Sequence, residues 1–243
     1  MRIDRRVNTM KKQAVIFFVI VLFIFCSCKM TSMPLSNENS NSNDSFSTID
    51  SSNSDEIYGE KFEFQVDGTA TSEQINETVN ILKKRMELLD FPYYNCTANG
   101  NVITISVPEN SCNDEDKQQI EDITAKGEFS IKEGNSNNGR EIINHSHIKD
   151  ASCYGLGKKE NTVSVIIKMN KYGKLVFSEE TEKISGKAIS LWMDSEKICT
   201  EIISEQINDG KIIIDAGFSL REGLVFSALV ATNPLPVSLK VSR

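Results

Sequence analysis

Histidine and cysteine side chains are the residues whose spacing in this sequence could support chemistry. His145 and His147 lie two positions apart in a polar stretch, a spacing that a metal site can use, but no third ligand lies near them. We therefore expect two solvated histidines. Cys153 could serve as a thiol nucleophile, yet the sequence offers nothing that would orient a base or bind an oxyanion beside it. The sequence predicts no catalytic residue, no metal site and no cofactor, and hence a protein that is not an enzyme.

Four cysteines follow residue 28, and their spacing matches no known metal or redox motif. None of the pairs has the two-residue gap of a zinc knuckle or a thioredoxin-like site. They are Cys96, Cys112, Cys153 and Cys199. An even number permits disulfides outside the cytoplasm, whereas single buried thiols need no partner. We favour free thiols, with disulfides as the alternative.

Two further cysteines, Cys26 and Cys28, follow an apolar run near the N-terminus. Basic residues precede the run Ala14–Phe25, which has 12 residues. That length is typical of a signal-peptide core, since a membrane-spanning helix needs roughly 20. The small residue Ser27 stands directly before Cys28, as the lipoprotein signal peptidase requires, whereas Phe25 stands before Cys26. Cys28 is therefore the better candidate for lipidation.

This pattern predicts where the chain is held. We expect residues 1–27 to be a lipoprotein signal peptide, and the mature chain to be anchored in the cell membrane, on its extracytoplasmic face, by the lipid on Cys28. The alternative is an uncleaved anchor helix over 14–30. Its basic N-terminus would stay in the cytoplasm, so the rest of the chain would lie on the same side of the membrane.

The stretch after Cys28 is rich in serine and asparagine. We expect residues 28–60 to be a disordered tether, because so few apolar side chains cannot offset the entropy of ordering the chain. As a coil, residues 29–58 would span about 30 Å. Without residues 1–27 the chain has 22 basic and 33 acidic residues, a net charge of −11. This charge argues against anionic lipid headgroups and nucleic acid as ligands.

Hydrophobic periodicity predicts the elements that follow the tether. Apolar and polar residues alternate over 61–67, as in a half-buried strand, and apolar residues recur at steps of three and four over 75–89, as in an amphipathic helix. Residues 133–162 are predicted to be mostly loop. The predicted strands are 61–67, 94–98, 102–107, 128–132, 163–169, 188–193, 198–203, 211–214 and 237–241. The predicted helices are 71–89, 114–126, 170–185 and 219–233.

The first six elements follow the order strand, helix, strand, strand, helix, strand. This order is that of a ferredoxin-like fold, and it closes a compact lobe at Lys132. Trp192, the only tryptophan, lies in the predicted strand 188–193 among apolar neighbours. A place in the core is the simplest interpretation. The alternative is that Trp192 and the residues around it bind unfolded polypeptide by apolar contact or strand addition.

Short motifs spread over 61–243 resemble, in order and spacing, the first large extracytoplasmic domain of SecD, an accessory membrane protein of the Sec export machinery. The matching segments are Ile75–Leu89, Asn101–Pro108, Glu128–Ile131, Gly139–Glu141, Gly173, Phe177, Gly186–Lys187, Asp194, Ile198, Gly217–Glu222 and Leu235–Pro236. The sequence departs from the family at three places in the predicted head: Ser195 stands for the usual glycine, Glu201 for a common proline, and Asp215–Ala216 for Thr-Gly.

The resemblance implies an α+β fold with a ferredoxin-like βαββαβ base lobe and an inserted α+β head lobe. The base would comprise 61–132 and 218–243, and the head 133–217. We expect a non-enzymatic lipoprotein that assists or binds exported polypeptides or the Sec translocon. No apolar stretch after Cys28 approaches about 20 residues, so we expect the family's membrane helices to be missing. The alternative is an envelope sensor or assembly partner that reuses the fold without a role in export.

Overall fold

A computed structural model describes residues 59–91 and 93–242. All of them belong to one compact unit, 49–243. The predicted signal peptide, Cys28 and most of the tether lie outside the described residues. The strands are β1 (Glu60–Asp67), β2 (Asn95–Asn99), β3 (Val102–Val107), β4 (Phe129–Glu133), β5 (Glu141–Asn144), β6 (Ile148–Leu156), β7 (Val163–Met169), β8 (Ala188–Met193), β9 (Glu196–Ile202), β10 (Lys211–Phe218) and β11 (Ser238–Val241). The helices are α1 (Ser72–Leu88), α2 (Asp114–Asp122), α3 (Lys171–Lys183) and α4 (Leu220–Ala231).

The strands form three antiparallel sheets, which confirms the α+β class. The strand orders are β11-β1-β3-β2, β10-β7-β6 and β5-β4-β8-β9. The first sheet has the ferredoxin-like order, but the strand beside β1 is β11 and not β4. The prediction that the first six elements close a compact lobe at Lys132 is wrong, because β4 pairs with β5 and β8 in another sheet while β11 pairs with β1. The division of the chain into base and head stays a prediction.

Local signals fixed the helix starts where the sequence predicted them. Thr71 and Gln74 form a capping box at the start of α1, with the Thr71 hydroxyl accepting from the Gln74 amide at 3.2 Å. Ser219 and Glu222 do the same at the start of α4. Both boxes satisfy amides that the helix itself leaves unpaired. The helix predicted over 114–126 ends earlier, at Asp122.

The prediction that 133–162 is mostly loop is wrong. It contains β5, a 3-10 turn at His145–His147 and β6. In the middle of β6 the side chains that face α4, Ala151 and Cys153, are small, and this weakens the apolar alternation that marks a strand. Within the described residues no helix is long and apolar enough to cross a membrane.

Helix α4 lies at the centre of the core. It packs on one face of the β10-β7-β6 sheet and also contacts α1 and α2. Gly223 permits this approach, because a Cβ there would lie 2.5 Å from Val163 Cγ2. Further along α4, the Phe226 ring packs against Phe129 of β4 and Phe218 of β10, with ring centroids 6.2 and 5.0 Å apart. Through these contacts α4 joins the second and third sheets.

Candidate functional site

Trp192 lies on the outer face of the β5-β4-β8-β9 sheet and not in the core. Strand β8 alternates its side chains, so that Leu191 and Met193 are buried while Trp192 is half-buried. Its cross-strand partners are Ser130 on β4 and Lys197 on β9. The indole therefore stands on a mostly polar surface, which the apolar residues on either side of it in the sequence did not indicate.

Hydrogen bonds hold the indole and its neighbours in place. The Trp192 Nε1–H donates to Ser190 Oγ at 2.9 Å, and Lys132 Nζ lies 5.9 Å from the centre of the ring. Asn137 binds this ammonium through its backbone and side-chain oxygens, at 2.9 and 2.6 Å. A cation at this distance from an aromatic face is attracted by the ring. An ammonium group that Asn137 binds thus lies over one face of Trp192.

A cleft of about 340 Å³ opens beside Trp192. Strands β4 and β8 form part of its wall, together with Glu141 and Asn144 of β5 and the turn after β8. Across the sheet, Asn135 accepts hydrogen bonds from Lys197 Nζ and Thr200 Oγ1 of β9, both at 2.8 Å. The loop after β4 therefore reaches over the same face as Trp192. The arrangement is a preformed polar cleft around one large aromatic side chain.

Strand β9 is the last strand of its sheet, and within the described residues only β8 pairs with it. Ile202, near its end, is 70% exposed. An edge strand presents unpaired amides and carbonyls to which an extended chain can add. The cleft and this edge therefore offer two ways to hold an extended polypeptide, one through side chains and one through the backbone.

The two histidines form no site together. His145 Nδ1 accepts from the Phe129 amide at 2.9 Å, so its proton is on Nε2, which donates to the Leu229 carbonyl at 3.1 Å. Burial lowers the pKa of His145, and the ring is neutral at pH 7. His147 stacks on Tyr172, with ring centroids 5.4 Å apart. The prediction of two solvated histidines is therefore wrong.

Among the described residues, no group of three His, Cys, Asp or Glu side chains could hold a metal ion. Cys96, Cys112, Cys153 and Cys199 are all free thiols. Burial raises the pKa of Cys96 and of Cys199 to about 11, and it also raises the pKa of Cys153, which a contact with Ser227 Oγ opposes. At neutral pH these thiols are protonated, and a protonated thiol is a poor nucleophile.

The turn between β8 and β9 is attached to the start of β4. Asp194 accepts from the amides of Gly127 and Glu128, at 2.9 and 2.6 Å. Asp194 and Ser195 both have positive φ, 52° and 104°. This turn borders the cleft, so the Asp194 bonds fix one side of the site. The resemblance had marked Asp194 as a family position without indicating its role.

Arg85 is a buried charged residue that no sequence motif singled out. It is on α1 with no exposed surface, and it donates to three carbonyls just after α2 and to two oxygens at the end of α4. The acceptors are the carbonyls of Ile123, Ala125, Lys126 and Asn233 and the hydroxyl of Thr232, at 2.6 to 3.2 Å. Burial lowers the pKa of Arg85 to about 9 while Asp194 opposes that shift, so the guanidinium is charged at neutral pH.

The spacing of apolar residues along α1 did indicate that position 85 is buried. Position 85 follows Leu82 by three and precedes Leu89 by four, so it lies on the apolar stripe of α1. A charged residue on such a stripe is buried only when its hydrogen bonds are satisfied. Arg85 meets this condition by binding carbonyls that the ends of α2 and α4 leave free. It supports the cleft indirectly, since the chain it binds continues through Gly127 into β4.

Known proteins resemble this chain as follows. No family model matches it. The SecD protein translocase subunit of Leptotrichia buccalis is 26% identical over 184 residues, which are 73% of this chain and 43% of that protein. SecD of Dictyoglomus turgidum is 23% identical over 172 residues, 70% of this chain and 41% of that protein. The described domain is SecD-like, and its homology to SecD is distant. The chain spans less than half the length of these relatives.

Two solved structures share the fold. A crystal structure of SecDF in a super-membrane-facing form superposes with a TM-score of 0.66 at 15% identity, over 78% of this chain and 30% of that chain. A structure of SecDF, a membrane component that enhances protein export, gives a TM-score of 0.60 at 15% identity, over 75% of this chain and 98% of that chain. At this level of identity the likeness concerns the fold alone. The SecD-like domain nonetheless accounts for nearly the whole of the second chain.

Proposed function

We propose that this protein is a lipoprotein, anchored through acylated Cys28 on the extracytoplasmic face of the cell membrane, whose SecD-like domain binds exported polypeptides without catalysing a reaction. Its distant homology to SecD carries the proposal, because those relatives are subunits of a protein translocase. The signal-peptide pattern before Cys28 supports the location. The protonated thiols and the neutral, hydrogen-bonded His145 support a binding role over catalysis.

The cleft beside Trp192 is the proposed contact for the polypeptide. An extended segment would place an apolar or aromatic side chain against the accessible part of the indole. Its backbone would bond to the amide and carboxylate groups of Asn144 and Glu141. The open edge of β9 lies on the same sheet and could pair with the continuing segment. Because neither contact reads a specific sequence, many exported chains could bind.

Photo-crosslinking in secreting cells tests this function. A photoreactive residue in place of Glu141, on the rim of the cleft, should crosslink to secretory proteins in transit. Trp192→Ala should lower the crosslinking yield several-fold, since it removes the apolar contact, whereas Trp192→Phe should keep most of it. A photoreactive residue in place of Leu88, at the end of α1, is the matched control and should give no such products.

The same experiment distinguishes a role in export from the alternative function, an envelope sensor or assembly partner. Crosslinks from position 141 that reach only resident envelope proteins, and never secretory chains, would contradict a role in export. That result would favour a sensor or assembly partner that reuses the fold. The identity of the captured proteins, determined by mass spectrometry, decides between the two.

A further inference from the structure

The side chain of His145 joins two parts of the domain that are far apart in the sequence. Its Nδ1 accepts a hydrogen bond from the Phe129 amide at the start of β4, at 2.9 Å, and its Nε2–H donates to the Leu229 carbonyl of α4, at 3.1 Å. The ring also meets the Phe129 ring edge to face, with centroids 6.3 Å apart. His145 therefore connects the third sheet to the helix that packs on the second.

Side chains accept three successive amide hydrogen bonds at the start of β4. Phe129 comes just before Ser130, the first residue of β4 that pairs with β5, so the His145 ring and not a strand backbone accepts its amide hydrogen bond. The two preceding amides donate to the Asp194 carboxylate. Phe129, His145 and Asp194 all line the Trp192 cleft. Hydrogen bonds to two titratable side chains therefore hold this wall of the cleft in place.

The hydrogen bond from the Phe129 amide forms only while His145 is neutral. A neutral imidazole has one nitrogen that accepts, whereas both nitrogens of the cation carry a proton. In the cation the Nδ1–H would face the Phe129 N–H, while the Nε2–H would keep its bond to α4. Phe129 is buried, and a buried amide that loses its acceptor destabilises the structure around it. The start of β4 and the protonated ring would therefore move apart.

Burial and nearby charges decide when His145 takes up a proton. Burial lowers the pKa of His145 below its ordinary value of about 6.5, and the Arg85 cation of α1 lowers it further, whereas the Leu229 carbonyl and the Asp194 carboxylate oppose this shift. Three further charged residues line the same cleft: Glu128, Lys132 and Glu141. The connection through His145 is therefore complete at neutral pH and opens in acid.

We propose that His145 is an acid-sensitive link between β4 and α4, which opens on protonation and loosens the wall of the Trp192 cleft. The proton binds Nδ1, and the hydrogen bond from the Phe129 amide breaks. The two bonds to Asp194 stay in place, so the change is confined to the side of the cleft that His145 lines. Because the link acts on the cleft itself, it does not depend on the proposed function or on any bound polypeptide.

A pH titration of the full chain in detergent micelles, from about pH 7.5 to about pH 5, tests the link. Trp192 is the only tryptophan, so its emission reports on the cleft. We expect this emission, the Phe129 amide resonance and the His145 ring resonances to change together, with one midpoint below about pH 6.5. The protection factor of the Phe129 amide against hydrogen exchange should fall about tenfold, because its hydrogen bond is lost.

Two variants separate His145 from the other titratable groups. His145→Gln introduces an uncharged side chain that both accepts and donates, so its emission and its Phe129 protection should not change over this range. His147→Gln replaces the only other histidine and should keep the wild-type transition.

Three results would overturn the proposal: no transition in the wild-type protein, the same transition in His145→Gln, or its loss in His147→Gln. Circular dichroism checks the fold of each variant. If His145→Gln does not fold, the wild-type titration decides alone. Separate midpoints for the His145 ring and the Phe129 amide would then show that the two are not linked.

Discussion

At the scale of single residues, Arg85 of α1 connects the segments that follow α2 and α4 by hydrogen bonds. It is a buried charge with no carboxylate in contact, and carbonyls near the ends of two helices take the place of a counter-ion. Helix C-termini carry partial negative charge, so they stabilise a cation there. Removing the guanidinium would take a donor from five acceptors, of which the Lys126 carbonyl keeps the Leu235 amide as a second donor.

Arg85→Met should therefore lower the free energy of unfolding by about 3 kcal/mol or more. Methionine fills part of the space but donates no hydrogen bond. Lys84→Met, at the exposed neighbouring position on α1, is the control and should change stability by less than about 0.5 kcal/mol. Urea unfolding followed by circular dichroism measures both. Equal losses in the two variants would show that the carbonyl contacts contribute nothing.

The turn between β8 and β9 supports a second prediction at this scale. Ser195 has a φ of 104°, a backbone conformation that glycine adopts without strain. Ser195→Gly should stabilise the domain by about 0.5 to 1 kcal/mol. Ser195→Ala keeps the Cβ that causes the strain and should give no gain, as thermal unfolding of both variants would show. A gain in Ser195→Ala would point to the hydroxyl as the cause.

Sequence patterns indicated Trp192 and Asp194 but not what surrounds them. Trp192 could be assigned to a strand, whereas the face it occupies depends on which of its two sides the core covers. The partners of Asp194 lie more than sixty positions away, at Gly127 and Glu128, and no local pattern encodes such a contact. The pairing of Thr71 with Gln74 was predictable, because the two residues lie three positions apart, within one turn of helix.

At the scale of elements, the helices and the strands with clear alternation followed from the sequence, but strand pairing did not. The order of the first six elements suggested that β4 would close the first sheet, yet β11 does so. Sequence patterns predict which segments are helices and which are strands. Which strands pair with each other depends on how all the elements pack into the core. Strand β6 was missed because Ala151 and Cys153, which face α4, are small. Larger side chains at these positions would keep α4 from packing closely on the sheet.

Gly223→Ala tests the packing of α4 on β6 and β7. The new methyl group would lie 2.5 Å from Val163 Cγ2 and 3.2 Å from Cys153 Sγ, so the helix must move away from the sheet. We expect a loss of about 1 to 3 kcal/mol in the free energy of unfolding, despite the better helix propensity of alanine.

A double-mutant cycle gives the control for this prediction. Val163→Ala removes the methyl group that the new Cβ would meet, so the loss caused by Gly223→Ala should be smaller in that background. Equal losses with and without Val163→Ala would show that the close contact is not the cause.

At the scale of the whole molecule, function depends on where the domain is held. Cys28→Ser should release the protein from the membrane fraction into the extracytoplasmic space or leave an unprocessed precursor, because the acyl chains provide the proposed anchor. Cys26→Ser is the matched control and should remain lipidated. Fractionation and mass spectrometry of the N-terminal peptide measure both. Lipid on Cys26, or none on either cysteine, would contradict the assignment.

The pairing of β1 with β11 has a consequence for how such a domain can be used. Phe64 lies opposite Val241 in that pair, so the chain enters and leaves the domain side by side. A domain with adjacent entry and exit can be inserted between two flanking segments of almost any kind without a change in its core. The same fold can therefore be joined to quite different flanking segments, among them the tether predicted for residues 28–60.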